Sequence, residues 1–419
     1  MTRSLREHPS SQAFLHSFQE EHLSELSFLI AQRRRYLHDP GVAWPDIDVL
    51  DLRVLRHAQA MAVGGDVALT CARAAFASEA TDEWTAAAHA LASMETGLSE
   101  LLVAMSGADS ARLPCFTEAL RQVHRPRLFE QLTPLLSSPR PELRAAIASL
   151  LGHRHEGGGE ALLPLLDDSV SEVRTAAALA LSAMGHRPAL PWMEQRLARE
   201  HMQGWEEWLL AALRLGSSQA LHLCRQVARS TDAVSTRVPW LLAVAGSAQD
   251  FEALRRLSER PASRLAALEA LGILGLPAAA PLLLEFLEEG DDETKGVAAK
   301  ALSLMTGAGL TETVRVLDTD ANDDPESWRD VTRPSTQARE WRAWWMAHRH
   351  RLDGDARLRR GQAHGLASCL EELADPHTPF GDRARAALEM DVLSGAPIGL
   401  QADWPIRRQL RAIAHWRQR

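Results

Sequence analysis

The stretch "LLPLLDDSVSEVRTAAALALSAMG" (Leu162–Gly185) decides the fold, because a near copy of it stands thirty residues earlier. That copy, "LTPLLSSPRPELRAAIASLLG", runs from Leu132 to Gly152. Each copy begins with a leucine-rich segment, passes through a polar turn, continues with apolar residues at helical spacing and ends in glycine. Self-similarity at a period of roughly thirty residues is typical of stacked helix pairs.

The closing glycine recurs along the middle of the chain at intervals of 29 to 33 residues. It stands at Gly152, Gly185, Gly216, Gly246, Gly275 and Gly307. Because glycine readily takes the left-handed conformation just past a helix end, we expect each one to end the second helix of a pair. One pair cannot bury both of its faces, so the pattern predicts an all-α solenoid over 111–310. Helical regions over 1–110 and over 311–419, the latter with an acidic linker and a tryptophan-rich helix, are expected to flank it.

Composition narrows the classes of partner. The chain has 419 residues, is 46% hydrophobic and 24% charged, and carries a formal net charge of −9. This charge disfavours direct binding to nucleic acid or to an anionic membrane and favours a basic partner. The most apolar run, Leu265–Leu284, contains Glu269 and two prolines, so we interpret it as two helices of a soluble protein.

The cysteines and the N-terminus predict a cytoplasmic protein. The four cysteines are far apart and form no C-x-x-C pair, so reduced thiols are expected. The first 26 residues contain no uninterrupted apolar segment of the kind found in signal peptides. The sequence leaves the oligomeric state open.

The turn "DSVSEVR" (Asp168–Arg174) resembles the D-x-x-x-x-V-R turn of the HEAT-repeat family. In the partial copy "SPRPELR" (Ser138–Arg144), serine replaces the aspartate. The resemblance covers about 113–310 and implies paired helices, with the turn arginine packed against turn carboxylates. It concerns the fold and does not assign a function.

The flanks carry a second resemblance. "EEHLSELSFLIAQRRRYL" (20–37) and "RRQLRAIAHW" (407–416) are similar to segments of a poorly characterised proteobacterial family with HEAT-like repeats between such flanks. Some members are associated with type VI secretion loci and look like immunity partners of nuclease-type effectors. The resemblance implies a non-enzymatic immunity protein that neutralises a basic nuclease toxin by direct binding. A scaffold or adaptor in a secretion or signalling complex is the alternative, and an enzyme is a third class.

Two loops contain residues that resemble the ligands of metal sites. "DTDAND" (Asp318–Asp323) begins like a calcium loop but lacks the required glycine and the final glutamate, so a solvated acidic linker is favoured. His153, His155 and Glu156 form a cluster without counterparts in the other repeats, so a di-iron site like that of HEAT-like hydroxylases would lack half of its ligands. We therefore predict no metal, no cofactor and no catalytic residues.

The tryptophans and acidic turns supply the candidate partner contacts. The chain has twelve tryptophans and one tyrosine, and three of the tryptophans (Trp341, Trp344 and Trp345) share a helix face that favours a core position. In "QGWEEWLL", core positions are also favoured for the tryptophans, although an indole beside carboxylates suits an interface hot spot. Acidic helix starts are ordinarily solvated, but they can also form a rim facing a basic protein. The predicted partner contacts are Trp205, Glu206, Glu207, Trp208, Asp291, Asp292 and Glu293.

Overall fold

The computed structural model describes residues 9–199, 203–230, 235–317, 328–352 and 354–418. Within these ranges the protein is predominantly helical, and the prediction of an all-α solenoid with helical flanks is confirmed. No helix in the described ranges is long and apolar enough to cross a membrane. The run Leu265–Leu284 is divided between two helices, as its prolines indicated.

In the described part of the N-terminal region, from residue 9 onward, there are five helices. They are α1 (Pro9–His38), α2 (Asp48–Ala75), α3 (Thr81–Ser93), α4 (Gly97–Gly107) and α5 (Arg112–Gln122). Helices α1 and α2 pack along one another around Leu26, Leu29 and Met61, which are fully buried. Helix α2 continues through Gly64 and Gly65, because Gly65 (φ 54°, ψ −128°) absorbs a kink inside the helix.

Six helix pairs form the middle region. The first members are α6 (Leu128–Leu132) with a 3-10 turn (Thr133–Ser137), a 3-10 turn (Leu163–Asp167), α9 (Leu190–Leu197), α11 (Ser218–Arg229), α13 (Phe251–Glu259) and α15 (Ala279–Glu289). The second members are α7 (Pro141–Arg154), α8 (Ser171–Ala183), α10 (Trp205–Arg214), α12 (Val238–Ala245), α14 (Arg264–Leu274) and α16 (Asp292–Thr306). The second helices stack on one another in chain order, and buried alanines such as Ala177 and Ala270 allow their close approach.

Four closing glycines have φ between 65° and 87°, as expected: Gly185, Gly216, Gly275 and Gly307. The other two do not take this conformation, and Gly152 does not end its helix, although Gly246 follows the last residue of α12 as expected. Helix α7 continues past Gly152 to Arg154, and a Cβ at Gly152 would lie 2.5 Å from Ala180 Cα, so this glycine permits close packing of α7 on α8. Gly246 has a φ of −85°, and a Cβ there would lie 2.3 Å from the Leu242 carbonyl oxygen.

The C-terminal region adds short strands to the helices. Its elements are β1 (Thr311–Leu317), β2 (Trp328–Pro334), α17 (Ala338–Leu352), β3 (Leu358–Arg359), β4 (Gln362–Ala363), α18 (Leu366–Ala374), α19 (Phe380–Ser394) and α20 (Ile406–Arg417). We expected a linker with no significant sheet, but β1 and β2 pair in an antiparallel hairpin in which Val314 faces Val331. Alternating β-branched residues favour these strands. The calcium-like stretch Asp318–Asp323 lies outside the described residues. Of the three tryptophans on α17, Trp341 is buried and the other two are half-buried.

Candidate protein-binding edge

One edge of the solenoid is covered by residues 354–418, which we call the C-terminal arm. The arm contacts the C-terminal ends of second helices from the last pair to the first. At the last pair, the Arg360 backbone N–H donates to the Leu304 carbonyl (2.7 Å) in α16. The Leu358 N–H donates to the Gly275 carbonyl (2.7 Å) just beyond α14.

Arg357, a residue of the arm, contacts the ends of α12 and α14. Its guanidinium donates to the carbonyl oxygens of Ala243 (2.8 Å) and Gly246 (2.9 Å) at the end of α12. It also donates to Leu274 (2.9 Å), the last residue of α14. The last carbonyl groups of a helix have no hydrogen-bond donor within the helix, and they form the negative end of its dipole. A guanidinium at this position supplies both hydrogen-bond donors and a positive charge.

The arm then continues to the first pair and to the N-terminal region. Arg214, the last residue of α10, donates to the Asp391 carboxylate (2.5 Å). The Trp404 indole donates to the His153 carbonyl (3.1 Å) in α7. Beyond it, the Ile406 N–H donates to the carboxylate of Asp51 (2.6 Å) in α2. The C-terminal edge of the solenoid is therefore covered at its first and last pairs and at several points between.

Local contacts engage the side chains of the candidate metal cluster, which are His153, His155 and Glu156. His153 Nε2 lies 2.7 Å from the Asp403 carboxylate, and His155 Nε2 lies 3.1 Å from Gln401 Nε2. Glu156 accepts two hydrogen bonds from Arg154 instead of facing either histidine. The three side chains therefore serve the docking of the arm and the end of α7.

The opposite edge consists of the N-terminal turns of the second helices. Four of these turns carry carboxylates, and together they form what we call the acidic edge: Glu142 (α7), Glu172 (α8), Glu206 and Glu207 (α10), and Asp292 and Glu293 (α16). A carboxylate in the first turn interacts favourably with the positive end of the helix dipole. Asp291 caps α16 by accepting a hydrogen bond from the Thr294 N–H (2.8 Å).

Several arginines at this edge are engaged within the turns. Arg144 forms a bidentate ion pair with Asp168, with both distances 2.8 Å, and the hydrogen bonds from Arg144 lower the pKa of that carboxyl. Arg174 donates to the Asp168 carbonyl, and Arg140 donates to the Ser106 carbonyl. The ion pair of Arg144 matches what the HEAT resemblance implied. These cations stabilise turns, while Glu142, Glu172, Asp292 and Glu293 are exposed.

The two candidate tryptophans are in the core. Trp208 is 1% exposed, and its indole donates to Thr175 Oγ1 (3.3 Å) in α8; Trp205 is 9% exposed. The prediction that these indoles contact a partner is therefore wrong, because the stacking of α10 on α8 covers them. Glu206 and Glu207, between them in sequence, are half-buried.

A groove of about 570 Å³ runs beside the acidic edge, between α7, α8 and α10. Its walls are small side chains such as Ala145 and Ser149, and the Glu172 and Glu207 side chains also line it. The sequence analysis did not predict this groove. Small residues one turn apart on the partly exposed face of α7 could have indicated it, because small side chains leave space between stacked helices.

A buried cluster in the arm brings an imidazole, a thiol and a carboxylate together. The ligand atoms of His364, Cys369 and Glu389 lie within 4.8 Å of one another, a separation that suits a metal ion. However, Glu389 already accepts hydrogen bonds from His364 (2.8 Å), Arg359 (2.6 Å) and Arg385 (2.5 Å), and two guanidinium charges oppose a divalent cation. Burial, followed by the charge of Glu389, raises the pKa of Cys369 to about 12, so the thiol is not a ready nucleophile. The cluster is a structural ion-pair network.

The sequence comparison agrees with this geometry in part of the chain. Residues 129–214 match the HEAT repeats family. The matched segment spans the first three helix pairs and includes the turn Asp168–Arg174. No curated protein matches the chain.

Several solved structures match the chain, each with a TM-score below 0.5. An engineered protein is 21% identical, and the match covers 42% of this chain and 96% of that chain, with a TM-score of 0.29. Importin beta is 13% identical, with coverage of 94% and 61% and a TM-score of 0.38. Human deoxyhypusine hydroxylase is 15% identical, with coverage of 68% and 96% and a TM-score of 0.24.

Proposed function

We propose that the protein binds a basic protein partner through the acidic edge and the adjoining groove. The observation that carries this proposal is the asymmetry of the solenoid: the arm covers one edge, while the other presents carboxylates in four helix first turns. Stacked helices lie about 8–10 Å apart, which is roughly one Debye length at physiological ionic strength. Carboxylates on neighbouring helix pairs therefore act together on a charged partner.

We further propose that the partner is a nuclease-type toxin of type VI secretion and that binding neutralises it. The resemblance of the flanks (20–37 and 407–416) supports this identity, and the net charge of −9 is consistent with it. A nuclease presents positive charge to phosphates, so an acidic surface competes for the same face. Charge complementarity of this kind mainly accelerates association. As a scaffold in a secretion complex, the protein would use the same surface to bind a basic partner that is not a toxin.

Competition between sister cells tests this function. The gene is deleted and restored as wild type, as the quadruple charge reversal Glu142→Lys, Glu172→Lys, Glu206→Lys and Glu207→Lys, or as a control reversal. We expect the deletion strain to be killed by its sisters, wild type to protect it, and the edge variant to lose protection.

The control reverses Glu160 and Glu371, whose side chains are 78% and 66% exposed and lie away from the acidic edge. Protection by this control shows that the protein tolerates the reversal of exposed carboxylates away from the acidic edge. A deletion strain that survives as well as wild type contradicts the toxin hypothesis. Full protection by the edge variant contradicts the proposed surface.

A further inference from the structure

A cleft of about 880 Å³ lies between the N-terminal region and the arm. Helices α1, α2, α3 and α5 form its walls, and residues from 403 to 411 of the arm close one side. None of its lining residues belongs to the acidic edge. Its volume falls within the range of roughly 300–1,000 Å³ that is typical of small-ligand sites.

Much of the wall is apolar. Ile30 on α1, Ala58 on α2 and Ala119 on α5 are buried side chains that face the cleft. Leu55 on α2 also lines it and is 48% exposed. This surface suits the apolar body of a ligand.

The charges along the cleft do not balance. Each lining carboxylate has a basic partner: Asp51 with Arg33 (2.5 Å), Glu118 with Arg34 (2.9 Å), Asp48 with Arg407 (3.1 Å) and Asp403 with His153 (2.7 Å). Three further lining arginines, Arg121, Arg125 and Arg411, form no ion pair within 4 Å among the described residues. Arg125 and Arg411 donate to backbone carbonyls only. The cleft is therefore electropositive in a protein with a net charge of −9.

Three buried polar atoms that line the cleft have no hydrogen-bond partner among the described residues. His89 on α3 is 5% exposed, and its Nδ1 has no hydrogen-bond partner among the described residues. The same holds for the buried Nε of Arg121 and the buried Oε1 of Gln122, two neighbours on α5 that also line the cleft. Buried polar atoms are nearly always hydrogen-bonded, so these three are available to a ligand that enters the cleft.

We propose that this cleft binds a small amphipathic anion, a carboxylate or sulfonate on an apolar body. The anionic group pairs with Arg121, His89 forms a hydrogen bond with the ligand, and the apolar body lies along α1 and α2. Burial and the nearby Arg33 lower the pKa of His89 to about 4, so the ring is neutral at pH 7. A neutral imidazole offers one donor and one acceptor, which suits a ligand that also carries hydroxyl or carbonyl groups.

Fluorescence titration of the full-length protein with anilinonaphthalene sulfonate tests the proposal. We expect saturable binding that dodecanoate displaces. Arg121→Gln should weaken binding by roughly tenfold, because a hydrogen bond to a charged group is lost. The control Arg349→Gln changes an exposed arginine on α17, outside the cleft, and should leave the affinity unchanged.

A second variant separates binding from folding. His89→Phe removes the unpartnered nitrogen, so thermal stability should stay equal or rise while affinity for the probe falls. The uncharged N-phenylnaphthylamine should bind wild type and Arg121→Gln equally. The proposal is overturned if both cleft variants bind the sulfonate as wild type does, if dodecanoate does not displace it, or if the uncharged probe loses as much affinity in Arg121→Gln.

Discussion

At the scale of single residues, two histidines are held neutral inside the protein. Burial and Arg33 lower the pKa of His89 to about 4. Burial, followed by Arg214 and Arg408, lowers the pKa of His155 to about 3. In the unfolded chain each would titrate near 6.5. Between the two values the unfolded state binds more protons, so the free energy of unfolding falls as pH falls.

We predict that each of these histidines contributes a slope of about 1.4 kcal/mol per pH unit below pH 6.5. For His89 the window extends from 6.5 down to about 4. Urea denaturation of wild type and His89→Phe across this window measures the contribution. The gap between the two variants should widen in favour of the phenylalanine as pH falls. A gap that does not vary with pH would contradict the neutral, buried state of His89.

The tryptophans show what residue patterns can and cannot determine. Their i, i+3 spacing correctly placed Trp205 and Trp208 on one face of a helix. Spacing does not reveal whether that face is covered, and the stacking of α10 on α8 buries both indoles. Gly152 is a similar case, because its role depends on Ala180 of the neighbouring helix rather than on its own helix end.

At the scale of elements, the repeats were predictable and the arm was not. The period of the closing glycines comes from local helix chemistry, and it predicted the helix pairs over 111–310. The arm's contacts join residues far apart in sequence, such as Trp404 with His153, and no periodic signal records them. Strands β1 and β2 were missed because an acidic composition masked a short alternating pattern.

We predict that Arg357→Met destabilises the protein by roughly 2–5 kcal/mol, because several helix-end carbonyls lose their donor at once. Methionine retains much of the aliphatic stem, so the loss reports the guanidinium rather than packing. Guanidinium chloride denaturation measures the change, and the exposed Arg349→Met is the matched control. A change no larger than that of the control would show that the arm does not depend on these hydrogen bonds.

At the scale of the whole molecule, the arm makes the two edges of the solenoid different. Net charge and repeat period were readable from the sequence, but the choice of edge was not, because it depends on where 354–418 docks. Of the predicted contacts, Glu206, Glu207, Asp292 and Glu293 lie on the acidic edge, and Asp291 caps the helix beside them. Their role in binding stays a prediction.

Hydrogen–deuterium exchange locates the surface that binds the partner. The protein is measured alone and in complex with the basic nuclease captured with it from the bacterium. Our account predicts slower exchange in the first turns of α7, α8, α10 and α16 and along the groove, with no change in the arm. The edge-reversed variant should lose this protection, and the control reversal of Glu160 and Glu371 should keep it. Protection confined to the arm, or to the first helices of the pairs, would contradict the claim that this protein binds through its acidic edge.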